Sequence, residues 1–137
     1  MMTVCEKTAL MHIPEHRKRV LYIIKSYTPA LGTRKKYNVY QLLKCYLDYP
    51  DTNYPYKQEI IDLCSNILNR WQADIDFQME NNPHDVCFFH HIEQALLVPG
   101  LEEQSRNAAK QIISYGNNND ALKYTPLYKT AMDLINK

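Results

Sequence analysis

An all-α fold, a compact bundle of five to six helices, is what this sequence predicts, and three observations carry the prediction. Apolar residues recur with the 3.6-residue helical period in stretch after stretch. No segment alternates with period two over a length that would make a strand. The three glycines and seven prolines fall mostly between the apolar stretches, as helices joined by short, stiff connections require. A short stack of helical hairpins is the second architecture these observations allow. The helix starts near residues 14, 34, 55, 83, 100 and 126 are irregularly spaced, so no internal repeat is expected.

The first helix is expected from Pro14, whose missing N–H costs nothing in a first turn. It places Val20, Leu21, Ile24 and Tyr27 in one apolar arc and ends at Thr28-Pro29. Thr33 is the expected N-cap of the second, in which Val39, Leu42, Leu43, Tyr46 and Leu47 recur at helical spacing before Pro50. After Pro55 comes the longest stripe: Ile60, Cys64, Ile67, Leu68, Trp71 and Ile75, with Asp62, Asn69, Asp76 and Glu80 opposite. It predicts one continuous helix. Asn82 and Pro83 are expected to open the fourth helix and Val98-Pro99-Gly100 to close it. The fifth begins with acids at Glu102 and Glu103 and is expected to stop at Gly116. A polar connection, NNND, leads to a last helix with Thr125 as cap and Pro126 in its first position.

At 137 residues, with 45% hydrophobic and 23% charged residues, the chain is expected to form a single domain over 1–137. Residues 1–12 are expected to be a flexible N-terminal segment. No stretch approaches the ~18 apolar residues of a membrane span, so no membrane association is expected, and the N-terminus lacks the pattern of a secretory signal. Cys5, Cys45, Cys64 and Cys87 show no paired spacing. They are read as reduced thiols in a cytoplasmic protein.

The segment EIIDLCSNILNRWQADI resembles the last helix of transcription-elongation TFIIS-like N-terminal domains, which pair a leucine stripe with a late tryptophan. The likeness covers under a fifth of the chain and lacks the flanking pattern of those domains. It assigns no family.

Three groups of residues could carry function. The stretch HDVCFFHH sets His84, Cys87 and His91 within roughly 60° of helical arc, the minimum for a joint metal or thiol site. Thiolate and imidazole suit zinc, but a fourth ligand would have to come from elsewhere, with His12, His16, Cys5, Cys45 and Cys64 as the candidates. Phe88, Ala95 and Val98 share that arc, so a packing face is the stronger reading, and no cofactor is expected. Two basic clusters, Arg17, Lys18 and Arg19 and then Arg34, Lys35 and Lys36, could neutralise phosphates. Residues 1–50 carry nine Lys and Arg against three Asp and Glu; residues 51–137 carry seven against twelve. Neutralisation of one half by the other, or head-to-tail self-association, explains this asymmetry as well as an anionic ligand does. Finally, eight of the eleven tyrosines lie between Tyr22 and Tyr56, and tyrosine is enriched at interfaces.

The leading expectation is therefore a small non-enzymatic interaction module. It would bind a protein partner, or itself as a homodimer, through Tyr37, Tyr40, Tyr49, Tyr54 and Tyr56. Nucleic-acid binding through the two basic clusters comes second. An enzyme around His84, Cys87 and His91 is a distant third.

Overall fold

The computed structural model describes residues 14–48, 56–81 and 89–136. Within them every regular element is helical: α1 (Pro14–Ser26), α2 (Thr33–Asp48), α3 (Lys57–Asn69), α4 (Trp71–Asn81), α5 (His90–Leu96), α6 (Glu102–Asn117), α7 (Asp120–Lys123) and α8 (Pro126–Ile135). Eight helices among the described residues exceed the five to six expected, for two local reasons.

The first reason is Arg70. The stripe from Ile60 to Ile75 is buried throughout, as expected, but the backbone leaves helical geometry at Arg70, with φ −125° and ψ 18°. Its N–H bonds to the Ile67 carbonyl, and its own carbonyl then accepts from Asp74 N–H to start α4. One predicted helix is thus two. The second reason is the polar connection after α6. Asn119 accepts a hydrogen bond from the Ala121 N–H through its side chain and caps the short α7.

At the C-terminal end, Thr125 caps α8 as expected, its hydroxyl accepting from the Tyr128 N–H while donating to the Leu122 carbonyl. Gly100 has a φ of +101°, which only glycine adopts without strain, and it closes the turn between α5 and α6. The helix α6 ends at Asn117, one residue past the expected stop. Gly116 is buried in its last turn, and the Tyr128 ring packs where its side chain would be.

The seven-residue α5 is the centre of the bundle. It packs against α2, α3, α6 and α8, and His91, Ile92, Glu93, Ala95 and Leu96 are all buried. A helix so short cannot hold its form in water alone; burial against four neighbours is what stabilises it. This arrangement is a bundle and not a stack of hairpins, in which each helix pair would meet only its sequence neighbours. In α1 the buried positions are Val20 and Ile23, followed just beyond it by Tyr27, with Leu21 and Ile24 half-buried. The buried arc is therefore rotated slightly from the predicted one. In α2 the stripe is as expected, with Cys45 also buried. The expected N-terminal segment, the stop at Pro50, Pro55 before the third helix, and the Asn82–Pro83 helix start lie outside the described residues.

The close approach of α6 and α8 gives a direct test. A Cβ on Gly116 would stand 2.5 and 2.7 Å from two carbons of the Tyr128 ring, whose hydroxyl is held by the Asn117 side chain at 2.6 Å. Gly116→Ala should destabilise the fold by about 1–2 kcal/mol, overpacking outweighing the ~1 kcal/mol gain in helix propensity. Gly32→Ala, which meets open space, should stay within about 0.5 kcal/mol. Urea denaturation of both variants decides it.

Candidate functional site

The most chemically active residue types in the fold converge on one carboxylate. Asp74 lies in the first turn of α4, near the positive end of its dipole. Tyr27, just beyond α1, donates its hydroxyl to Asp74 Oδ2 at 2.7 Å. His91, at the start of α5, places Nε2 on the same oxygen at 2.7 Å. Lys36, one turn into α2, donates from Nζ to Oδ1 at 2.8 Å and to Gln78 Oε1 at 3.1 Å. Its ammonium also sits over the Phe77 ring, 5.2 Å from the centroid. Two hydrogen-bond acceptors and an aromatic face thus surround the ammonium.

Burial by itself would raise the Asp74 carboxyl. The facing His91 imidazole and the Lys36 ammonium outweigh it and hold the group below its ordinary value of 3.8. Tyr27 moves the other way: burial, then the Asp74 charge and the bond to it, push its hydroxyl far above 10.0. Among the described residues, His91 Nδ1 and Gln78 Nε2 are buried with no hydrogen-bond partner.

A Tyr–Asp–His–Lys cluster could shuttle protons if a substrate reached it. Here it is sealed, with Asp74 at 0% exposure and Lys36 and His91 at 1%. General acid–base work needs hydrogen-bond reach of the reacting atom. What the cluster does is tie α2, α4, α5 and the end of α1 to one point.

These positions revise the sequence expectations. Lys36 is not part of a surface basic cluster; it is buried and neutralised by Asp74. Asp74 is in the core, while Asp76 and Glu80, on the face opposite the stripe, are exposed as expected. His91 does face the packing side, but its ring is committed to Asp74, and His84 and Cys87 lie outside the described residues. So do Cys5 and His12. Among the described residues no three His, Cys, Asp or Glu are grouped to hold a metal ion. The four cysteines are not all reduced: Cys45 is disulfide-bonded, whereas Cys64 is a free thiol that burial pushes up to about 12.

Of the tyrosines, Tyr49 and Tyr54 lie outside the described residues, and Tyr56 is half-buried against the core. Tyr37 and Tyr40 come together on one flank of α2. Tyr37 is 53% exposed, and its ring stands 5.9 Å from that of Tyr40, which stands 5.5 Å from His90. Gln41 donates to the Tyr37 hydroxyl at 3.0 Å, and Glu93 holds the His90 ring at 2.8 Å. His90 was not a candidate on sequence grounds. The opposite flank of α2 faces α1, where Arg19 and Tyr22 meet Lys35 and Asn38 around a small cleft. Arg17, Lys18, Arg19, Arg34 and Lys35 are all exposed.

A broad concave surface along α6 was not anticipated. Two clefts of about 830 and 620 Å³ meet at Gln111 on α6. Amides dominate their walls, and several are already engaged. Gln104 bridges Ser65 and Asn69, and the Trp71 indole N–H donates to Gln111 Oε1 at 3.1 Å. The sequence signal was the polar spacing of Gln104, Asn107, Gln111, Ser114 and Asn118 along α6.

Removing the central carboxylate should be costly. Asp74→Asn leaves Lys36 buried without its counter-charge and should destabilise the fold by about 3–5 kcal/mol at pH 7. Because folding lowers the Asp74 pKa, its contribution is present above the unfolded value of 3.8 and is lost as pH falls through the lower folded value. Wild type should therefore lose more stability than the variant over that acid range, as denaturation at pH 7, 4 and 3 would show. Cys64 should resist a thiol reagent until the protein unfolds, since a buried, protonated thiol is a poor nucleophile.

No protein-family model, curated protein or solved structure matches this chain, so its own buried groups and surfaces are what point to its work.

Proposed function

We propose that this protein is a non-enzymatic interaction module that grips a protein partner, or a second copy of itself, through the Tyr37–Tyr40–His90 patch. The observation that carries this reading is a ring that is exposed and yet held. Tyr37 presents more than half its surface, while Tyr40 and Gln41 fix its orientation. Tyrosine offers large, rigid, amphipathic contact area, and a ring already ordered loses little freedom on binding. The burial of the Asp74 cluster supports a binding role over a catalytic one, because the groups best suited to proton transfer are closed to a substrate. Among the described residues no helix is long and apolar enough to cross a membrane. The oxidised Cys45 fits an oxidising compartment better than the cytoplasmic setting expected from sequence.

Substituting Tyr37 and Tyr40 together by serine should weaken association at least about 30-fold, the effect of losing one central interface residue, with little change in folding. Sedimentation over a wide concentration range reads self-association. Quantitative capture with wild-type and variant bait reads a foreign partner. Association that survives the double substitution unchanged would remove this patch from the function.

A further inference from the structure

We infer that the cleft between α1 and α2 is a binding site for a phosphate group, supplied by the backbone of a single-stranded nucleic acid. It is a different surface from the tyrosine patch, on the other flank of α2, and does not rest on that reading. The cleft is lined by Arg19, Tyr22, Ile23 and Ser26 of α1 and by Lys35 and Asn38 of α2, and measures about 50 Å³. A drug-sized ligand needs about 300–1,000 Å³, so this space suits a group of a few heavy atoms.

Its chemistry selects an anion. Two cations from separate stretches of sequence converge on it, an amide stands beside them, and among the described residues no Asp or Glu lines it. From Arg17 to Leu47 the chain holds eight Lys and Arg and not one acid. Lys36 is neutralised in the core and Lys44 pairs with Asp48. No carboxylate among the described residues pairs with Lys18, Arg19, Arg34 or Lys35. Internal neutralisation of the basic half, one of the explanations the sequence left open, therefore reaches Lys36 but not this cleft.

The rim favours a nucleotide as the source of the phosphate. Tyr22 is 59% exposed beside Arg19, so its ring is free to stack on an unpaired base while the guanidinium and ammonium hold the backbone. The flanking Lys18 and Arg34, both exposed, extend the positive surface.

The test uses a fluorescent deoxythymidine 12-mer and the full chain, titrated from low to physiological salt, with inorganic phosphate as a separate probe. Arg19→Glu with Lys35→Glu should lower affinity at least about tenfold and flatten the slope of log affinity against log salt by about 1.4, two phosphate contacts at ~0.7 each. Tyr22→Ala should lower affinity and leave that slope unchanged. Lys44→Glu with Lys123→Glu, the same change of charge elsewhere, should have a much smaller effect. Both replaced residues in the cleft are exposed, and a circular dichroism melt confirms folding. No binding of either probe at low salt overturns the site, as does an equal loss in the control variant. Binding of inorganic phosphate alone, abolished by the cleft variant, upholds a phosphate site and overturns the nucleic-acid source.

Discussion

The fold depends on a charge placed where charge is expensive. An ionised carboxylate taken out of water incurs a desolvation penalty of several kcal/mol even after relaxation, and the penalty is offset only by well-placed partners. Asp74 has three, each from a different part of the chain: Lys36, Tyr27 and His91, at sequence separations of 38, 47 and 17 residues. None of these contacts is local. Each is satisfied only when α2, α4, α5 and the turn after α1 stand in one arrangement. Apolar packing of Leu42, Ile60, Ile67 and Ile92 favours any compact state; the Asp74 cluster is satisfied in this one. Its contribution is therefore to the choice of arrangement more than to net stability, since a well-packed apolar substitute for a buried ion pair is often as stable.

The break at Arg70 belongs to the same logic. In an unbroken helix the stripe from Ile60 would carry on in a straight line and Asp74 would be an interior residue with no special relation to the helix ends. Restarting the helix after Arg70 puts Asp74 in a first turn, where the dipole favours a negative charge. It also sets Trp71 at the junction, with its indole N–H on Gln111 and its ring edge-on to Tyr115 at 5.6 Å. A polar bond thus satisfies the one donor that a buried tryptophan brings with it. The same junction forms one wall of the amide-lined clefts, so the kink that serves the core also shapes the surface.

Most of this fold is legible in the sequence because helical periodicity reports burial. The stripe Ile60–Cys64–Ile67–Leu68–Trp71–Ile75 and the Thr125–Pro126 start both survive in the structure. What periodicity misreads is polar residues in apolar register. Asp74 follows Ile60 and Ile67 at successive intervals of seven, and Gln78 follows one turn later, so the pattern itself placed them inward. Their chemistry argues for water, so the two signals conflict at these positions. Lys36 is the mirror case. Its neighbours Arg34 and Lys35 made it look like one of a solvated cluster, although it precedes the buried Val39 and Leu43 by three and seven residues. Composition could not separate these cases, because a buried charge is recognised only through its partner, and each partner here is remote in sequence. Likewise His90 joins the tyrosine patch through a tertiary contact that nothing local announces.

Sorting the charges this way changes what the basic half of the chain means. Were Lys36 on the surface, the two clusters would be six equivalent cations, a diffuse field of the kind that near-neutral proteins carry without consequence. Lys36 instead anchors α2 to the core from within the same turn that presents Lys35 outward. The end of α1 is fixed by Tyr27 on the same carboxylate. The backbone from which Arg19 and Lys35 project is thus tied to the core by buried bonds at 2.7 and 2.8 Å. Two like charges lining one cleft repel each other in the free protein, and a multivalent anion between them would remove that repulsion. The proposed phosphate site would gain from that anchoring, which a solvated face does not need.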